Sequence, residues 1–159
     1  MRALVVLLAL LMCAAAPAVH ADDRHDVEKA VTRWLGVFEN LDMPVFIECF
    51  TGDATIFFPS FVPAPEMPER VAGKAAVRSS FEQVFDAIRK GASGGAPYHR
   101  LHPEDLQTQM LGADSAIVTF HLRNSQRIAR RTLVMRKVQG TWLIAHLHAS
   151  NYYLPSATR

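Results

Sequence analysis

Cysteine is almost absent from this 159-residue chain: Cys13 and Cys49 are the only two. A disulfide framework is therefore excluded as the source of stability, and no Cys-rich metal motif can be written. An excess of one charge is lacking as well, with 17 Lys and Arg against 15 Asp and Glu. Basic residues do cluster between Arg123 and Lys137, but no aromatic residues are interleaved with them, so a stacking groove for nucleic acid is not expected. No apolar run reaches the roughly 20 residues that a membrane-spanning helix needs. Internal repeats and a linker-like composition are also missing, which leaves one domain stabilised by packing.

The longest apolar run, from Ala3 to Ala16, sits at the start, behind Arg2 and ahead of Pro17-Ala18-Val19-His20-Ala21 and Asp22. One positive charge, a short apolar core and small residues before a polar segment make the pattern of a secretory signal peptide. Residues 1–21 are expected to be cleaved after Ala21, leaving 22–159 as a periplasmic or secreted domain with no membrane attachment. Cleavage removes Cys13, and Cys49, set among Val45, Phe46, Ile47 and Phe50, reads as a buried inert thiol.

Periodicity organises the rest. Val27, Ala30, Val31, Trp34, Phe38 and Leu41 recur at helical spacing and predict a first helix over 26–41. Asp42 can cap a shorter second helix, with Pro44 in its first turn and Thr51-Gly52 at its end. Ala54 to Pro59 is rich in β-formers and predicts a strand, and the proline-rich stretch from Ser60 to Glu69 a loop over one mouth of the domain. Gly73 opens a third helix with Val77, Phe81, Val84, Phe85 and Ile88 inward, stopped at Gly91. Strand periodicity then dominates near 104–111, 115–123, 129–138 and 141–150. Helices first and consecutive strands afterwards predict an α+β domain: a strongly curved, mostly antiparallel sheet with three helices on one face.

Gln139-Gly140 suits a two-residue hairpin, which sets Val138 opposite Thr141. Regular counting then pairs Lys137 with Trp142, Met135 with Ile144, Leu133 with His146 and Arg131 with His148. Trp142, Ile144, His146, His148 and Ser150 would share one face, and Leu143, Ala145, Leu147 and Ala149 the other. Three helices cover only one face, so a homodimer through Leu143, Ala145, Leu147 and Ala149 is expected. The opposite face would form a core ending in Arg131, His146 and His148, an apolar cavity with convergent polar groups suited to a small-molecule ligand.

The segment Gly140 to Ser150, preceded by Arg131 to Lys137, resembles the closing hairpin of the SnoaL-like and nuclear-transport-factor-two-like proteins, and is similar to the association domain of calmodulin-dependent kinase two. Gly52 to Pro59 and Arg70 to Lys74 through Phe85 match the same order of helix, strand and helix. The resemblance covers the chain after the leader and implies a cone-shaped cavity, commonly in a dimer, on a fold that hosts enzymes, binders and assembly domains. The kinase domain's cavity arginines fall on Leu122 and Leu133 here, so an anionic ligand would have to rely on Arg131. The Tyr and acid pair of the ketosteroid isomerase type has no match, whereas the histidine pair of the dehydratase type is similar in chemistry to His146 and His148.

Two imidazoles on one strand face, about 7 Å apart, can divide acid and base roles, contact a ligand, or simply be hydrogen-bonded polar residues. A metal would need a third ligand, and His121 is expected on the opposite face, so neither metal nor cofactor is expected. His146, His148 and Asp53, which would orient a histidine or cap the turn at Gly52, are the candidate catalytic residues. Arg131, Trp34, Tyr98, Trp142 and Phe58 are the candidate ligand contacts. The leading expectation is an exported small-molecule-binding domain. The alternatives are a cofactor-independent acid/base enzyme of isomerase, dehydratase or hydrolase type, and an assembly module.

Overall fold

The computed structural model describes residues 21–59 and 69–155. The expected leader over 1–21, apart from Ala21, and the expected loop over 60–69, apart from Glu69, lie outside them. The elements run α1 (Ala21–Asn40), α2 (Met43–Ile47), β1 (Phe50–Phe57), β2 (Val71–Ala72), α3 (Lys74–Gly91), β3 (Pro103–Met110), β4 (Ser115–Arg123), β5 (Arg127–Val138) and β6 (Thr141–Tyr153). One six-stranded sheet has the order β2-β1-β6-β5-β4-β3, antiparallel except for the parallel pair β1 and β6. This is the expected α+β architecture, a cone-shaped fold with the helices drawn from the first half of the chain. Among the described residues no helix is long and apolar enough to cross a membrane.

Local chemistry sets the helix ends. The carboxylate of Asp42 accepts from the Val45 N–H, and Pro44 occupies the first turn of α2, where a missing N–H costs nothing. Leu41 turns the chain between α1 and α2 with φ at 54°, a conformation that glycine usually supplies. Burial of its side chain to 2 % exposure offsets that cost. Gly73 caps α3 with φ at 88°, a backbone that a side chain would strain. Thr51 and Gly52 do not end α2. They continue β1, because α2 stops at Ile47 and the chain extends at once.

The helices close on the sheet through an aromatic cluster. Phe46 is fully buried, with ring centroids of Phe81, Phe85, Phe50, Phe38 and Trp34 between 4.6 and 6.2 Å away. Five partners around one ring tie α1, α2, α3 and β1 together by burial and edge-to-face contact. Cys49 is buried beside this cluster, and burial pushes its thiol pKa up, as an inert core cysteine requires.

The β5–β6 hairpin begins as expected, with Gln139 and Gly140 both at positive φ and Val138 opposite Thr141. Lys137 with Trp142 and Met135 with Ile144 also pair as counted. Then the register shifts: Val134 pairs with His146, Leu133 with Leu147 and Arg131 with Ala149. Ala145 is the extra residue of a bulge, and β1 is irregular at the same level, between Phe50 and Thr55. A bulge sharpens local twist and exchanges the faces of everything beyond it.

Two expectations fall with that exchange. Leu147 and Ala149, assigned to a dimer face with Leu143 and Ala145, point inward at 3 % and 6 % exposure. His146 and His148, assigned to the core end, stand on the opposite, helix-free face. The physical reason is burial: a regular ladder would bring imidazoles against Leu133 and turn Leu147 to water, losing apolar burial and desolvating polar rings.

The exchange is directly measurable. Leu147→Ala is expected to cost about 2–5 kcal/mol in urea unfolding, and His148→Ala to stay within about 0.5 kcal/mol of wild type. A reversed order of the two variants would contradict the inward position of Leu147.

Candidate functional site

Alternation from the bulge onward assigns the polar residues of β5 and β6 to two separate faces. On the inner face, Ala129, Arg131, Leu133 and Met135 of β5 lie opposite Asn151, Ala149, Leu147 and Ile144 of β6. Arg131 also pairs with Phe120 of β4, whose ring is 1 % exposed. Phe58, one residue beyond the Phe57–His148 pair, reaches the same level and packs on Phe81 with centroids 5.1 Å apart.

Within this apolar setting two polar side chains stand out. The Arg131 guanidinium donates to the Arg130 carbonyl at 2.9 Å, and among the described residues no carboxylate pairs with it. Burial, and then the like charge of Arg127, pushes its pKa down to about 10. Asn151 has both Oδ1 and Nδ2 buried without a hydrogen-bond partner among the described residues. On the ladder the two side chains are diagonal neighbours, a separation of roughly 7–8 Å that long side chains bridge. Leaving such groups unmatched costs about 1–3 kcal/mol each, so their presence calls for an occupant or a role.

The hairpin end of the same face is different because its charges are matched. Lys137 donates to Asp23 of the first turn of α1 at 2.7 Å, and this hydrogen bond raises the lysine pKa. The ammonium also lies 5.7 Å from the centroid of the Trp142 ring. Trp142 therefore serves that end. Lys137, its partner, is six residues from Arg131, roughly 20 Å along the strand, so Trp142 and Arg131 do not line one small site as expected.

The histidines occupy the outer face. Nδ1 of His146 lies 2.7 Å from the Thr55 hydroxyl, and Phe57 contacts both rings, at 5.7 Å to His146 and 6.1 Å to His148. With Arg130, Thr132 and Ser150 they line an open groove of about 480 Å³. Burial, then His148, then Arg70 push the His146 pKa down, so the ring is held neutral at pH 7. Asp53 does not reach either histidine: its carboxylate binds Arg136 at 2.5 Å, and this pairing holds it below the usual carboxylate range.

The remaining candidates have structural settings. Trp34 packs its ring against Phe38 and Phe46, with Nε1 buried and without a partner among the described residues. Tyr98 packs on the core, its N–H donating to the Glu39 carbonyl at 2.8 Å, which ties the segment after the glycine loop to the end of α1. Among the described residues no three His, Cys, Asp or Glu side chains gather as a metal site. Sequence reasoning missed Asn151 and Thr55. Asn151 would have been found by restarting the alternation at Leu147, and Thr55 by the β1–β6 pairing that only the folded sheet supplies.

The depressed pKa of His146 carries a sign. Because the folded ring resists protonation, its contribution to stability is complete above the ordinary value near 6.5 and is lost as pH falls through the folded value. Urea midpoints are expected to drop between pH 7.5 and pH 5, and to drop less in His146→Asn. An equal drop in the variant would remove His146 as the cause.

Comparison with known proteins agrees with this geometry. A family model described as the SnoaL-like domain matches residues 27–155. A ketosteroid isomerase-like protein from Erwinia carotovora atroseptica superposes with TM-score 0.67 at 18 % identity, covering 86 % of this chain and 100 % of its own. An NTF2-like protein of unknown function from Pseudomonas putida gives 0.68 at 17 %, covering 89 % and 100 %. A cystatin-like fold protein from Burkholderia xenovorans gives 0.65 at 15 %, covering 86 % and 96 %. At such identities these structures speak for the fold alone. No curated protein matches the sequence with significance. With a family model spanning nearly all the described residues and this sheet order beneath it, the chain belongs to the SnoaL-like domain family.

Proposed function

We propose that this is an exported small-molecule-binding domain that takes a carboxylate-bearing ligand with an apolar body into the cone, its carboxylate on Arg131 and Asn151. One observation carries the reading: a half-buried guanidinium on the inner face with no acid among the described residues, diagonal to an amide whose two ends are buried and unsatisfied. A carboxylate answers both at once, accepting from the guanidinium and from Nδ2 in a site of low dielectric, where such bonds are strongest. Phe58, Phe120, Leu122 and Ala149 offer the apolar wall. Export rests on the leader pattern of residues 1–21.

The acid/base reading of His146 and His148 loses its support, since both rings are on the other face of the sheet from Arg131. Arg131 itself is a poor proton acceptor, and its one charged influence among the described residues is Arg127. Binding thus draws more support than turnover.

Calorimetric titration with phenylacetate and hexanoate, each against the corresponding alcohol, tests the reading. The acids are expected to bind at least about tenfold tighter than the alcohols, as a charge-assisted pair implies. Arg131→Met is expected to abolish that preference while raising Tm, because it removes a half-buried charge that meets no acid among the described residues. His148→Ala is expected to leave binding unchanged. Equal affinity for acid and alcohol, or full binding by Arg131→Met, would sink the idea.

A further inference from the structure

The outer face holds a second set of unmatched polar groups. Three arginines there, Arg123, Arg130 and Arg136, alternate outward along β4 and β5. Two are answered by carboxylates: Arg123 by Glu104 at 3.1 Å and Arg136 by Asp53. Arg130 is exposed and no side-chain partner meets it among the described residues. It stands over the groove lined by Thr132, His146, His148 and Ser150, and no acid contributes to that lining.

Every side chain lining the groove can donate a hydrogen bond. Thr132 and Ser150 supply hydroxyls, Arg130 its fork of N–H groups, and His148 an exposed imidazole. When the Thr55 hydroxyl donates to Nδ1 of His146, the neutral ring carries its proton on Nε2 and becomes a donor as well. Thr132 is paired directly with His148, and Arg130 with Ser150, so the donors sit on successive outward-facing rungs of one ladder, with His146 on the next, same-face neighbours on a strand being roughly 7 Å apart. Arg70 adds positive potential at His146. A floor of donors under an unpaired guanidinium is the chemistry of an oxyanion seat.

We propose that this groove on the helix-free face binds a small oxyanion, a phosphate or carboxylate group held by Arg130, Thr132, His146, His148 and Ser150, separately from any ligand at Arg131. Bound anion favours the protonated imidazoles, so affinity rises as pH falls from 8 to 6. The titratable and charged groups around the rings are His146, His148, Arg70, Arg130 and, opposite Arg130 on β4, His121.

Histidine ring proton resonances of the full chain report on the site directly. Inorganic phosphate, and separately acetate, are titrated at constant ionic strength against chloride at pH 6 and 8. A saturable shift of the His146 and His148 signals is expected, tighter at pH 6, with Arg130→Gln weakening it about tenfold or more and the ion-paired control Arg123→Gln leaving it intact. A response to phosphate alone assigns the seat to phosphate, and one to acetate alone assigns it to carboxylates. No saturable shift with either anion, or an unchanged response in Arg130→Gln, overturns the proposal. So does sedimentation showing a dimer that Arg130→Glu dissociates while neither anion shifts the rings, because a second copy would then be the occupant.

Discussion

Ile144 and Leu147 must both reach the core, yet they stand three positions apart, and a strand of period two cannot point both to one side. The bulge at Ala145 resolves this conflict, and most of what distinguishes the molecule follows from it. Before the bulge, Trp142 and Ile144 face inward; after it, Leu147, Ala149 and Asn151 do. The irregularity of β1 at the same level lets Phe50 and Ile56, both fully buried, meet the same core from the neighbouring strand. One inserted residue thereby bends the sheet around the aromatic cluster at Phe46 and fixes which face each later side chain occupies.

Because the faces are fixed, the polar residues of the last hairpin divide into two groups with opposite environments. Inward, Asn151 has both amide atoms buried without a partner, and half-buried Arg131 meets only the Arg130 carbonyl and no acid among the described residues, which a folded chain tolerates only at some expense in stability. Outward, Arg130, Thr132, His146 and His148 keep contact with water, so their unsatisfied donors cost little. The first group is therefore the costlier arrangement, while the second lines a solvated groove. The matched pair of Lys137 and Asp23 at the hairpin end shows the contrast on the same sheet: there the charges meet each other and anchor the start of α1 to β5.

Membership of the SnoaL-like family agrees with this layout but does not choose a chemistry, because the fold supplies a cone and the side chains inside it decide the rest. Here Arg131 lies between Phe120 and Ala149 on the inner face, with Asn151 diagonal to it. The histidines stand on the other face, separated from it by the thickness of the sheet.

Much of this was legible in the sequence. Apolar residues at helical spacing located α1 and α3, the Asp42-x-Pro44 start located α2, Gln139-Gly140 located the hairpin turn, and the closing hairpin motif pointed to the family. All of these depend on contacts within a few residues, so local composition determines them. The inward face of Arg131 was also legible, from its alternation with Leu133 and Met135. The faces of His146, His148, Leu147 and Ala149 were not, because a bulge leaves no local mark beyond the spacing of Ile144 and Leu147, and either register satisfies the turn. Tertiary structure decided between them by the burial of Leu147 against Leu133 and the irregular pairing of β1 beside it. The partnership of Thr55 with His146 and the isolation of Asn151 followed from that decision, since both depend on which strands lie side by side rather than on which residues are adjacent in the chain.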